Sequence, residues 1–79
     1  MRIDKFLKVS RILKRRAVAC DACAGGKVTV NGRAVKPSYQ VKPLDTVTVA
    51  FAGGELKFVV KSVNEKASAK EADTLYEIL

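Results

Sequence analysis

The sequence predicts an α+β fold: two N-terminal helices packed on a small, mostly antiparallel sheet built from hairpins, plus a C-terminal helix. Three observations carry this. Apolar residues recur at helical spacing near the N-terminus. The period changes to two at Lys27 and holds, with interruptions, to Val60. Helical spacing returns in the last ten or so residues.

At 100° per residue, Ile3, Phe6, Leu7, Val9, Ser10 and Leu13 fall in one broad arc, with Asp4, Lys5, Lys8 and Arg11 opposite. This predicts an amphipathic helix over about residues 3–12 with a cationic outer face. Lys14-Arg15-Arg16 forms a short connection into a second helix, about 16–24, which has no Ser, Thr, Asp or Asn at its N-cap. That helix is rich in small side chains, so it can approach its neighbours closely, and Gly25-Gly26 stops it. Val28 and Val30 alternate with Lys27 and Thr29. Asn31-Gly32 then gives a two-residue hairpin signal, since both residues tolerate positive φ. Arg33–Lys36 is the expected return strand, and Pro37 and Pro43 bracket an irregular stretch holding Tyr39 and Val41. Val47, Val49 and Phe51 form a third strand. Ala52-Gly53-Gly54 turns the chain, and Leu56, Phe58 and Val60 form a fourth. From about Ser68 to Leu79, Ala72, Leu75, Tyr76 and Leu79 stand at i, i+3, i+4 and i+7, which predicts a docked helix. The expected organisation is one domain over 1–79, with a core in 1–50 and a strand hairpin and helix in 51–79.

A chain of 79 residues supports one modest core and leaves little room for a closed catalytic cavity. It has no histidine, which removes the commonest general base and the usual metal ligand. The Gly-Gly pairs fit no phosphate-loop spacing. Cys20-Asp21-Ala22-Cys23 is a C-x-x-C, but zinc needs further ligands and no other Cys or His exists. It sits near a helix C-terminus, where the dipole disfavours thiolate. The expected role is packing; a metal would require a second chain. The chain is therefore expected to be non-enzymatic, without cofactor or metal. No apolar run approaches the roughly 18 residues that span a bilayer, and the first residues do not read as a signal peptide, so a cytoplasmic location is expected.

The net charge is +7 and it is unevenly placed. Residues 1–42 hold eleven lysines and arginines against two acids; residues 43–79 hold four against six. One half thus carries +9 and the other −2. Such asymmetry points to a polyanion met by one face, nucleic acid before an acidic membrane, with a merely solvated face as the plain alternative. Each Lys or Arg that neutralises a phosphate releases condensed counterions, and arginine adds a planar fork. The tightest cluster is Lys14-Arg15-Arg16 at a helix start. For Tyr39, core packing is the simpler reading and base stacking the other.

Helix, basic turn, helix, then Gly25-Gly26-Lys27-Val28-Thr29-Val30-Asn31-Gly32-Arg33 and Lys36-Pro37-Ser38-Tyr39-Gln40-Val41-Lys42-Pro43-Leu44-Asp45, resembles the S4-type RNA-binding domain and its αL motif. The opening Arg2-Ile3-Asp4-Lys5-Phe6-Leu7-Lys8-Val9-Ser10-Arg11, with Lys14-Arg15-Arg16, is similar to the stand-alone ribosome quality control branch, which is related to a small ribosome-associated heat-shock protein. The resemblance implies binding to obstructed large ribosomal subunits, with contacts to large-subunit rRNA and peptidyl-tRNA, beside a partner protein that tails stalled chains. By position, RNA contacts carry over to Arg2, Lys5 and Arg16, then to Lys8, Arg11, Lys14, Arg15 and Lys36. Asp4 matches the family's acid and is given a structural role, holding Arg2 or Arg16. The heat-shock relative carries a basic C-terminal extension where this sequence ends, which favours the quality-control branch. The expected state is a monomer. Two rivals remain: a heat-shock-type factor that recycles stalled large subunits, and a basic adaptor that meets an acidic protein.

Overall fold

The first helix, α1 (Ile3–Val9), buries Ile3, Phe6 and Leu7 and turns Lys8 outward, as its apolar arc predicts. The structure, a computed structural model, describes residues 1–64, 66–68 and 70–79. α1 is shorter than expected. Ser10 caps it, and Arg11 takes a left-handed φ of 64°, its N–H bonding the carbonyl of Lys8 at 3.1 Å. The Leu13 N–H closes on the Leu7 carbonyl at 3.0 Å, so Ile12 and Leu13 still pack against the core from outside the helix. The second helix, α2 (Arg16–Ala24), starts without a side-chain cap and buries Ala19 and Cys23. It ends where Gly26 adopts a φ of 75°, a conformation that costs glycine nothing.

The sheet has five strands in the order β2-β1-β3-β4-β5, and every pairing is antiparallel. These are β1 (Val28–Val30), β2 (Arg33–Ala34), β3 (Thr46–Phe51), β4 (Gly54–Val60) and β5 (Tyr76–Ile78). Asn31 and Gly32, at φ 53° and 85°, make the tight β1–β2 turn. The return strand β2 is only two residues long, shorter than expected, and the chain turns away before Pro37. Register places Val30, Val47 and Phe58 in one row across the sheet, and Val28, Val49 and Leu56 in the next. These rows meet Ile3, Phe6, Leu7, Ala19 and Cys23 from the helices in one core. Phe58 stacks on Phe6 at 6.2 Å between ring centroids and meets Tyr76 edge-on at 5.6 Å.

Among the described residues, the C-terminal helix expected over 68–79 does not form. In its place are a single 3-10 turn, Ala72–Thr74, and the edge strand β5. Ala69, inside the expected span, lies outside the described residues. The physical reason is competition for backbone partners. The Leu75 carbonyl accepts the N–H groups of Lys61 at 2.7 Å and Ser62 at 3.3 Å, and the Thr74 hydroxyl donates to the Glu71 carbonyl at 2.6 Å. β4 offers an open edge over Phe58–Val60, which Tyr76–Ile78 fills. Ala72 and Leu75 are buried as their spacing requires, but Leu79 is exposed.

A polar clasp holds the long 36–45 connection. The Asp45 carboxylate accepts from the Asn31 side-chain amide at 3.2 Å, from the Lys42 N–H at 2.9 Å and from the Tyr39 hydroxyl at 3.4 Å. Asn31 returns its own carbonyl oxygen to the Thr46 N–H at 3.0 Å. The N-terminus is stitched to the same connection. Arg2 bridges Gln40, the Ile3 N–H bonds the Tyr39 carbonyl at 2.7 Å, and the Val41 N–H bonds the Met1 carbonyl at 3.0 Å.

Candidate nucleic-acid interface

Asp4 is the centre of the cationic half. It lies in the first turn of α1 and is 2 % exposed. One carboxylate oxygen accepts the Lys5 N–H at 2.7 Å. The other accepts from an Nη of Arg2 at 3.1 Å and faces the Nε of Arg16 at 3.6 Å. Both arginine side chains are nearly half exposed. A buried acid therefore fixes the near edges of two guanidinium groups, one just before α1 and one at the start of α2, and leaves the rest of each fork to solvent. That arrangement suits phosphate, which arginine grips with parallel N–H groups.

The other expected contacts lie on α1, on the connection to α2 and after β2. Lys5 and Lys8 lie on α1, Lys5 half-buried and Lys8 exposed. Arg11, Lys14 and Arg15 are exposed on the connection to α2, and Lys36 is exposed just after β2. Arg2 and Lys36, far apart in sequence, line one shallow cavity. Tyr39 is half-buried against the core, and its hydroxyl is engaged by Asp45. Burial, then the charge and hydrogen bond of Asp45, raise its pKa above the ordinary phenol value. Sequence reasoning missed two features. Asp45 gathers partners as far as 14 positions away, and Cys20 faces the cavity shared by Arg2 and Lys36. No local pattern signals either.

The cysteines are free thiols, Cys23 buried and Cys20 half-buried. Burial first, with Asp4 and Cys20 adding, pushes the Cys23 thiol up from 9.0 to about 11. A raised acid pKa means the folded state keeps its proton longer than the unfolded chain. Its contribution is complete below about pH 9 and is lost as pH rises through about 11. The loss should be roughly 2–3 kcal/mol. Urea melts from pH 8 to 11.5 should show this extra alkaline fall in the wild type and not in Cys23→Ala. Parallel curves for the two proteins would remove the explanation. Among the described residues, no cluster of Cys, Asp or Glu is arranged to hold a metal, and no helix is long and apolar enough to cross a membrane.

The model of the S4 domain family matches residues 1–47, which span both helices, the β1–β2 hairpin, the clasped connection and the start of β3. The chain belongs to the S4 domain family. Its relatives extend the likeness past the family match. It is 42 % identical over 78 residues to the RQC P-site tRNA stabilizing factor of Halalkalibacterium halodurans, covering 99 % of this chain and 89 % of that one. It is 40 % identical over 78 residues to heat shock protein 15 of Escherichia coli, covering 98 % of this chain and 59 % of that longer protein. The trimeric structure of Vibrio cholerae heat shock protein 15 superposes with a TM-score of 0.91 at 31 % identity, over 100 % of this chain and 81 % of that one. In this S4 chain, Arg2, Asp4 and Arg16 all fall within the matched segment.

Proposed function

We propose that this chain is a non-catalytic, cytoplasmic RNA-binding factor of ribosome-associated quality control. It docks on obstructed large ribosomal subunits, contacts large-subunit rRNA and peptidyl-tRNA, and supports a partner protein in tailing the stalled nascent chain. The observation that carries the reading is the Arg2–Asp4–Arg16 arrangement, two half-exposed guanidiniums anchored on one buried carboxylate. It is supported by the quality-control name of its relatives along nearly their full length. Arg2 and Arg16 are the principal contacts; Lys5, Lys8, Arg11, Lys14, Arg15 and Lys36 extend the surface. Contacts of this kind read RNA through phosphate and sugar rather than base edges.

Co-sedimentation tests the reading. Wild type should travel with large subunits carrying peptidyl-tRNA in a sucrose gradient of stalled lysate, and Arg16→Ala should stay at the top while melting within a few degrees of wild type. If wild type also stays at the top at low salt, the ribosome is the wrong partner. The log–log slope of affinity against salt should lie near −4 for about five phosphates, and Arg16→Ala should reduce it by about one. A slope near zero favours the adaptor reading. The likeness to heat shock protein 15 keeps recycling of stalled large subunits as the second reading. It predicts normal alanine tailing in a strain lacking this chain, whereas the first predicts its loss.

A further inference from the structure

A cavity of about 500 Å³ opens beside Arg2, between the C-terminal half of α2 and the segment that follows the β1–β2 turn. Its walls are mostly apolar: Cys20 and Ala24 on one side, Val35 and the ring of Pro37 on the other. Among the described residues, Arg2 and Lys36 are the charged groups that line it, and no carboxylate does. The volume lies within the roughly 300–1,000 Å³ typical of small-ligand sites, which combine apolar walls with a few placed polar groups. A ligand matched to it has a flat apolar body and an anionic group. A nucleotide has both: single-stranded RNA is commonly read through unstacked, splayed-out bases, and an extruded base can be held between apolar side chains. Arg2 is already held by Asp4 through one Nη, so little rotamer freedom is lost when its remaining N–H groups meet a phosphate.

We infer that this cavity receives one unpaired nucleotide of a bound RNA, its base against Ala24, Val35 and Pro37 and its phosphate between Arg2 and Lys36. The inference rests on the RNA-binding reading above and adds to it a position at which the RNA must be unpaired. Extruding a base from a duplex costs a few kcal/mol, and least where the base is already unpaired. The site therefore selects bulges and loops over continuous helix. This is a form of discrimination that the cationic surface alone does not provide.

Cys20 supplies a reporter. It is half-buried on the cavity wall, whereas Cys23 is buried and its thiol stays protonated at neutral pH. Alkylation of the full chain by iodoacetamide, read by mass spectrometry, would be followed with a hairpin RNA carrying one unpaired adenosine. The comparison is the same hairpin with that adenosine deleted. Both should bind at low salt, and only the first should slow Cys20 alkylation, by tenfold or more. Ala24→Phe places a ring in the cavity from an exposed position. It should lower affinity for the bulged hairpin about tenfold and leave the paired one unchanged. Binding of both hairpins without selective protection of Cys20 overturns the cavity assignment and leaves the RNA reading standing. Absence of binding by either removes both. Protection by adenosine monophosphate equal to that by the bulged hairpin at the same concentration overturns the RNA assignment in favour of a free nucleotide.

Discussion

Asp4→Asn is expected to weaken RNA binding by about fivefold or more, even though it raises the net charge from +7 to +8. Simple electrostatics predicts the opposite sign, since a more cationic protein should hold a polyanion more tightly. The anchor argument wins on magnitude. One Asp4 oxygen serves both Arg2 and Arg16. A neutral amide cannot hold two guanidiniums as a carboxylate does: the ion pairs are lost, and with its one oxygen on the Lys5 N–H it presents an NH2 group to the arginines, donor against donor. Two released arginines must then be ordered again on binding, at about 0.5–1.5 kcal/mol each. The sum, about 1–3 kcal/mol, is a factor of roughly 5 to 150 in affinity. Asparagine still offers its oxygen to the Lys5 N–H, but its buried NH2 group then lacks an acceptor, so the melting temperature should fall by several degrees while the fold is kept. Asp21→Asn makes the same change in charge at an exposed site on α2 and is the control. Fluorescence anisotropy with one RNA at fixed salt reads all three proteins. If Asp4→Asn binds as tightly as Asp21→Asn, positioning by the carboxylate is not what matters.

Phe58→Ala should remove a large share of the stability of the domain. The ring is fully buried on β4 and contacts one aromatic from α1 and one from β5, so it links both ends of the chain to the sheet. Truncating a buried phenylalanine costs about 3–5 kcal/mol through lost transfer energy and the cavity left behind. Small domains hold only about 5–15 kcal/mol in total. At roughly 4–8 °C per kcal/mol, the melting temperature should fall by about 12 °C or more. Phe51→Ala on β3, whose side chain is half exposed, should cost about 1 kcal/mol or less. Calorimetry of the two variants checks the contrast; similar small shifts in both would show that the aromatic row is not central.

Where the sequence was legible, a local rule and the tertiary structure agreed. The alternation of Val28 and Val30, and of Val47, Val49 and Phe51, gave strands whose valines face the core. Asn31-Gly32 gave a turn in which both residues have positive φ, and Gly25-Gly26 gave a helix end at which Gly26 alone does. The C-terminal segment was misread because Ala72 and Leu75, three apart, suit a 3-10 turn as well as a helix. The open edge of β4 that captured Tyr76–Ile78 has no local signature. The early end of α1 was hidden because Arg11, a residue that disfavours the left-handed region, occupies the place usually taken by glycine. The cations at the candidate interface were visible as composition. The sharing of one Asp4 oxygen by residues fourteen apart, and a cavity walled by positions 20–24 and 34–38, were not. Both depend on how the helices dock.

The stitching of residues 1–3 to residues 39–41 has a kinetic consequence. It closes a loop of about forty residues, whereas the hairpins β1–β2 and β3–β4 close over short turns. Chain closure over that length is entropically dearer and slower than hairpin formation. The Ile3 and Val41 amides should therefore gain protection no earlier than those of β3 and β4 in pulsed hydrogen exchange during refolding, and earlier protection would refute this order. A chain still folding would then expose its lysines and arginines without the arginine geometry that phosphate recognition uses. Selective recognition would arise only when the molecule is complete.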